Sequence, residues 1–263
     1  MKAKDIVKLM NDWACPTLID DWDNTGFQIG DEEKEVKRIL VALDLDSKVY
    51  EKALRENFHM IITHHPVIFK PVNSITTSNS KEKLIFNLIR NDIAIYNAHT
   101  NLDRAQGGVN YELAKLLDLK DSTVLEVGKK ENEPEYGYGR VGDIEERSLE
   151  DYIKLIKERL NTDELIVYGE QKRIVKRVAL CGGSGSDFIY DAYKRKACVY
   201  ITGDIKYHDA QLGHELGLTL IDAGHYHTEK IILPVIKNYL EKESGKSLYV
   251  DLWEKPSPEY RIY

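Results

Sequence analysis

Five of the eight histidines, His64, His65, His99, His208 and His225, fall at or just after short apolar runs, each beside a polar or small residue. In ITHHP the pair His64 and His65 closes one such run. Neighbouring side chains of a strand leave on opposite faces, so these two imidazoles suit two adjacent ions better than chelation of one. By residue type alone the pair also fits a strand end bonded to backbone and water. In NAHTNLD, His99 and Asp103 stand four apart in a polar turn, and a carboxylate beside imidazoles is a normal donor set for a first-row metal. The same spacing would also suit a turn-capping aspartate bonded to its neighbour. In GHYHTE, His225 and Glu229 are one helical turn apart and share a side if a helix starts near residues 222–225, with His227 facing elsewhere.

Together these segments offer more donors than one tetrahedral ion needs, which favours two ions bridged by a carboxylate. Such a pair lowers the pKa of a shared water and makes a hydroxide nucleophile suited to phosphoryl, acyl or amidine-like carbon centres. With no thiol in the set, the ions are expected to be Zn, Mn, Fe, Co or Ni.

Three further segments bear on chemistry. GDIKYHDA brings Asp204, Lys206, His208 and Asp209 just after a strand, where His208 suits proton transfer, support of a ligand, or a plain helix position. CGGSGSD joins strand to helix with a glycine-rich loop whose N–H groups could cradle phosphate. It lacks the Walker lysine and the full GxGxxG spacing, and without other evidence a tight turn is the better reading. DNTGFQIG, between helix and strand, suits one wall of a cleft and is weak as chemistry.

The elements that must hold these residues can be read from periodicity. Residues 38–45, 59–66, 93–100, 177–183, 199–204 and 218–224 are short, apolar and β-branched, and read as buried strands. Amphipathic stretches at 47–57, 80–92, 109–119, 187–195 and 227–240 read as helices, several opening with a serine or aspartate that could cap them. The alternation predicts an α/β protein with mainly parallel sheets and functional residues where strands end. The charged, Gly- and Tyr-rich stretch 128–148 reads as a linker between an N-terminal lobe, 1–127, and a C-terminal lobe, 149–263. Residues 72–80 read as a surface loop, and the Pro-containing KPSPEYRIY as an extended tail.

Composition sets the outer limits. The chain has 263 residues with 37 basic and 44 acidic groups, a formal charge of −7. That balance gives no basic face for phosphate contacts, so nucleic acid is an unexpected partner. No run approaches the ~18 apolar residues of a membrane span, and MKAKDIVKLMNDW has no signal-peptide pattern, so the expectation is a cytoplasmic protein without membrane contact. Cys15, Cys181 and Cys198 are far apart and form no CxxC, which predicts reduced, mostly buried thiols.

Taken in order, DNTGFQIG, ITHHPVIF, NAHTNLD, GYGRVG, CGGSG, ITGDIKYHDA and DAGHYHTE resemble the YbgI-like dinuclear metal-centre family, also called NGG-interacting-factor-three-like, which bears the label GTP cyclohydrolase 1 type 2 homologue. The resemblance spans residues 20–233. It implies two α/β lobes with the metal site in the cleft between them, a homohexamer, and two divalent ions held by His64, His65, Asp103, His225 and Glu229, with Glu229 as the bridge. Phe27 stands where leucine is usual. The short joint near 129–135 marks the compact form without an inserted domain.

The function this implies is a dinuclear-metal-dependent hydrolase in which a metal-bound hydroxide attacks a purine nucleotide and formate leaves. His208 or His99 would move protons, and the GGSG loop or Lys206 would hold phosphates. Two other functions need the same ligands: a non-enzymatic metal-binding, metal-delivery or scaffold protein, and a metal-dependent phosphoesterase.

Overall fold

A computed structural model of the chain describes residues 1–126, 136–169 and 173–254. The elements run in the order α1 (Ala3–Trp13), β1 (Gly26–Ile29), β2 (Arg38–Ala42), α2 (Ser47–Arg55), β3 (Met60–Thr63), α3 (Ser80–Arg90), β4 (Ala94–Asn97), α4 (Thr100–Arg104), α5 (Val109–Leu116), β5 (Lys120–Glu126) and β6 (Tyr138–Ser148). They continue with α6 (Leu149–Leu160), β7 (Ile166–Tyr168), β8 (Ile174–Ser184), α7 (Ile189–Lys194), β9 (Val199–Gly203), α8 (Tyr207–Glu215), β10 (Thr219–Asp222), α9 (His225–Glu229), α10 (Ile232–Glu243) and β11 (Tyr249–Trp253). All six expected strands are present; the helices expected over 47–57 and 80–92 are α2 and α3, each capped by the residue before it, whereas the single helix expected over 227–240 is divided into α9 and α10. The Asp46 carboxylate accepts from Val49 N at 2.9 Å, and the Asn79 side chain from Glu82 N at 2.8 Å.

Contacts gather the chain into two compact units, Met1–Leu102 with Leu233–Tyr263, and Asp103–Ile232. The first unit is built on a five-stranded sheet in the order β1-β4-β3-β2-β11. Its neighbours are parallel except for β1, which runs antiparallel to β4. Leu40, Ile61 and Ile95 of three adjacent strands pack with Val49 and Ala53 of α2 and with Ile85 and Leu88 of α3. The i, i+3 and i, i+4 spacing of those helical residues is what turns both helices onto the sheet. Residues 72–79 are mostly exposed, as a surface loop requires.

The second unit is a six-stranded mixed sheet, β5-β6-β8-β9-β10-β7. Only β8, β9 and β10 run parallel, and the outer strands pair antiparallel. Successive residues of its inner strands feed two cores. Val178, Leu180, Val199, Ile201 and Ile221 join Tyr152, Ile156 and Leu160 of α6, whereas Ala179, Cys181, Tyr200 and Leu220 join Ile189 and Ala192 of α7. Burial on both faces explains why these strands read as unbroken apolar runs.

One expectation is corrected here. Residues 138–148 of the stretch read as a linker are the eleven-residue strand β6, paired with β5 and β8. Its glycines and charges disguise it: Gly139 has φ +63° and Gly142 lies against the Ser122 backbone, while Asp143, Glu145 and Glu146 face solvent. Residues 128–135 of that stretch, and the tail KPSPEYRIY, lie outside the described residues. No helix among the described residues is long and apolar enough to cross a membrane.

Candidate functional site

In the first unit, β3 stops at Thr63, so His64 and His65 leave the sheet in a turn rather than alternating across it. Thr63 Oγ1 donates to the His65 carbonyl at 2.8 Å, and His65 N donates to Leu43 O at 3.0 Å. The strand rule that sent the two rings to opposite sides no longer applies. Their ring centroids lie 5.0 Å apart, and His99, two residues beyond β4, brings a third ring to 5.3 Å from His64 and 5.5 Å from His65. One ligand nitrogen from each of the three lies within 4.8 Å of the others.

The partners of these rings fix which nitrogen carries the proton. Nδ1 of His64 lies 2.8 Å from the carbonyl oxygen of Ala98, which can only accept. Nδ1 of His65 lies 2.8 Å from Asp44 Oδ1, and Nδ1 of His99 lies 2.9 Å from Asp23 Oδ1. Burial pushes the Asp23 carboxyl upward, but hydrogen bonds from His99, Thr25 and Thr100 outweigh it and hold the group well below the usual carboxylate range. Asp23 is therefore ionised and accepts. In each ring the Nδ1–H tautomer puts the lone pair on Nε2, the state a metal-ligating imidazole needs.

In the second unit, α9 is a single helical turn that places His225 and Glu229 on one side. Nε2 of His225 lies 3.0 Å from Glu229 Oε2, and its Nδ1 lies 2.8 Å from Asp204 Oδ2. Asp204 projects from a backbone with φ +57° just after β9. The Glu229 side chain is only 5% exposed, and a carboxylate oxygen of Asp103 lies within 4.8 Å of one of its own. Glu229 is thus the shared neighbour of His225 and Asp103. Cys181 lies under the same acidic groups. Burial, then the charges of Asp103 and Glu229, push its thiol well above the ordinary value. It stays a neutral thiol, as expected of a packing residue. His227 turns away to Lys230, 3.1 Å from its Nδ1, also as the spacing predicts.

The glycine-rich segment has a different role from the phosphate cradle considered in the sequence. Its N–H groups are bonded to side chains: Gly182 N to Asn110 Oδ1 at 2.8 Å, Gly183 N to Thr228 Oγ1 at 2.9 Å, and Gly185 N to Thr202 Oγ1 at 2.9 Å. The helix that follows is only six residues long. Gly183 has φ +65°, and a Cβ there would collide with Glu229 Oε1 and lie 3.2 Å from His225 Nε2. These glycines let the β8 backbone pass directly beneath the carboxylate and the imidazole.

His208 is exposed on the first turn of α8, beside Tyr207, and belongs to none of the His, Asp and Glu groupings found among the described residues. Asp209 caps that helix by accepting from Lys206 N at 2.9 Å. The supporting aspartates Asp23 and Asp44 carried no role in the sequence reading. The signal for Asp23 was present in DNTGFQIG, but its partner His99 is 76 residues away.

The donor set, imidazole Nε2 atoms with buried carboxylates and no thiolate, fits divalent first-row metals. Fold and site define the class: an α/β protein with histidine and carboxylate clusters able to bind metal. The chain belongs to the DUF34/NIF3 (NGG1p interacting factor 3) family, whose pattern matches residues 1–258. It is 37% identical over 234 residues to the "GTP cyclohydrolase 1 type 2 homolog" of Clostridium perfringens, covering 89% of this chain and 88% of that protein. A solved Staphylococcus aureus protein, SA1388, superposes with a TM-score of 0.90 at 30% identity, covering 100% of this chain and 99% of the other. The solved protein ybgI, described as of unknown function, has a TM-score of 0.84 at 25% identity, covering 98% and 100%.

Proposed function

We propose that this chain is a metal-dependent hydrolase of a purine nucleotide, of the GTP cyclohydrolase 1 type 2 kind, with His64, His65, Asp103, His225 and Glu229 as ligands for two divalent ions. The observation that carries the reading is the common arrangement of His64, His65, His99 and His225, each of which gives Nδ1 to an oxygen. His64, His65 and His99 holding Nε2 forward in one tautomer is a costly arrangement for rings that merely pack and an ordinary one at a metal site, and His225 stands between the carboxylates of Asp204 and Glu229. The names of the homologues supply the substrate class.

When bound, the ions supply Lewis acidity and acidify a water, the chemistry that opening an amidine-like carbon requires. The chain's own residues do the rest. Asp44, Asp204 and the Ala98 carbonyl hold the ligand rings in orientation. His99 takes a proton at Nε2, and the ionised Asp23 behind Nδ1 stabilises the imidazolium that results. His208, solvent-facing on α8, is the second proton carrier in this reading. The homohexamer implied by the family resemblance belongs to the same reading, and light scattering should find six chains per particle.

The test is formate release from GTP by metal-loaded protein, beside His65→Ala and His208→Ala. Formate from the wild type, lost in His65→Ala with metal content reduced and lost in His208→Ala with metal retained, is the expected result. A metal-loaded preparation that releases no formate overturns the hydrolase reading and leaves a metal-binding or metal-delivery protein. Phosphate release in its place would make it a phosphoesterase.

A further inference from the structure

Two large aromatic side chains stand in solvent beside the imidazole cluster of the first unit. Trp22 is 60% exposed and Phe69 is 42% exposed. Their ring centroids lie 6.1 Å apart, and both meet His99 edge to face, Trp22 at 6.1 Å and 81° and Phe69 at 6.5 Å and 80°. A scattered exposed aromatic needs no explanation. A pair converging on the same histidine is different.

The backbone beside each ring is tied down, at Ile68 before Phe69 and at Asp23 after Trp22. Gln28 accepts from Ile68 N at 2.9 Å and donates to Ile68 O at 3.1 Å, and Asn24 also donates to Ile68 O. Next to Trp22, Asp23 N donates to Asp20 O at 2.9 Å, while the Asp23 carboxylate takes His99, Thr25 and Thr100. The residues flanking Trp22 and Phe69 therefore make the loop contacts, and the rings themselves are left facing water on a fixed frame. An aromatic kept only for packing would be turned inward, where burying it contributes about 2–3 kcal/mol. Rigid exposed rings on an ordered backbone are instead how proteins hold a flat ligand with little ordering entropy left to lose.

We propose that Trp22 and Phe69 form a stacking wall beside His99 that takes the flat heteroaromatic ring of the substrate, laying it against the Trp22 face next to the imidazole cluster. This deepens the reading above and rests on it for the choice of a purine-like ring over other flat groups. In this account Trp22 and Phe69 determine specificity; they take no part in bond-making.

The test is binding, measured apart from turnover. Guanosine and ribose 5-phosphate are titrated calorimetrically into the full-length metal-loaded protein and into Trp22→Ala, Trp22→Phe and Phe69→Ala, with metal content and assembly mass checked for each. The expected result is guanosine binding that weakens at least about fivefold in both alanine variants, recovers most of its strength in Trp22→Phe, and is not matched by ribose 5-phosphate. Equal guanosine affinity in all four proteins would overturn the proposal. So would ribose 5-phosphate binding as well as guanosine. A Trp22→Ala protein that loses metal, or changes its assembly mass, with guanosine affinity intact would reassign the pair to shielding the cluster or to contact between copies. The two readings fail separately. Trp22-dependent guanosine binding without formate release keeps the wall and removes the hydrolase. Formate release with an unchanged KM in Trp22→Ala does the reverse.

Discussion

His225 and Glu229 face each other at 3.0 Å across one helical turn, and the strand beneath them comes so near that Gly183 has room for no side chain. Gly183→Ala therefore meets two penalties, a left-handed backbone that costs roughly 1–2 kcal/mol for a residue with Cβ and a collision with the Glu229 carboxylate. The variant should unfold at a lower temperature and retain less metal. Thermal unfolding with elemental analysis checks both, and wild-type values in each would contradict this account of the loop.

Thr228 supports the same loop from the helix side. Its Oγ1 accepts from Gly183 N at 2.9 Å and donates to Gly224 O at 3.0 Å, and the residue is fully buried. Thr228→Val keeps the shape but leaves the Gly183 N–H without its acceptor. A loss of about 1–3 kcal/mol in denaturant unfolding is expected, with an unchanged slope.

Asp204 reaches the candidate site through the His225 ring. Asp204→Ala should leave the fold intact yet weaken metal binding by about 10- to 100-fold, because the Nδ1–H loses the acceptor that sets its tautomer. Competition with a chelating dye reads this directly. Asp44→Ala, behind His65, should behave in the same way.

The strands that carry the site were legible because burial on both faces makes them continuous apolar runs, as in Met60–Thr63 and Val199–Gly203. Strand β6 was hidden because its second half reaches solvent, so Asp143, Glu145 and Glu146 interrupt the pattern with charge. Strand β11 was missed because nothing in YVDLW says it will pair with β2, more than 190 residues earlier. The histidines and carboxylates of the candidate site were legible at or near strand ends. What was not legible was their support: Asp23, Asp44 and the Ala98 carbonyl meet their histidines only through tertiary structure. The convergence of consecutive His64 and His65 likewise depends on the strand ending one residue before them.

β11 is fastened to the first unit by Asp251, whose carboxylate lies 2.8 Å from Lys52 Nζ of α2. Burial pushes the Asp251 carboxyl upward, and the bond from Lys52, the bond from Leu252 N and the charges of Lys52 and Lys237 together more than offset it, leaving the folded-state pKa below the ordinary Asp value. A lowered carboxylate stabilises the fold above the unfolded value near pH 4 and stops doing so as pH falls through the folded value. Asp251→Asn should accordingly cost about 1 kcal/mol or less at pH 7, since the pair is partly exposed. Its deficit against wild type should shrink below about pH 4 in urea unfolding across pH.

Everything proposed for this chain's chemistry depends on metal held by the imidazole and carboxylate clusters. The measurement that addresses it most directly is divalent metal per chain after loading and desalting, by elemental analysis, in wild type, Glu229→Ala and His208→Ala. About two ions per chain are expected in wild type and His208→Ala, and fewer than about one in Glu229→Ala, whose carboxylate lies within reach of both His225 and Asp103. Wild-type protein that keeps no stoichiometric metal, or Glu229→Ala that keeps as much as wild type, would contradict it.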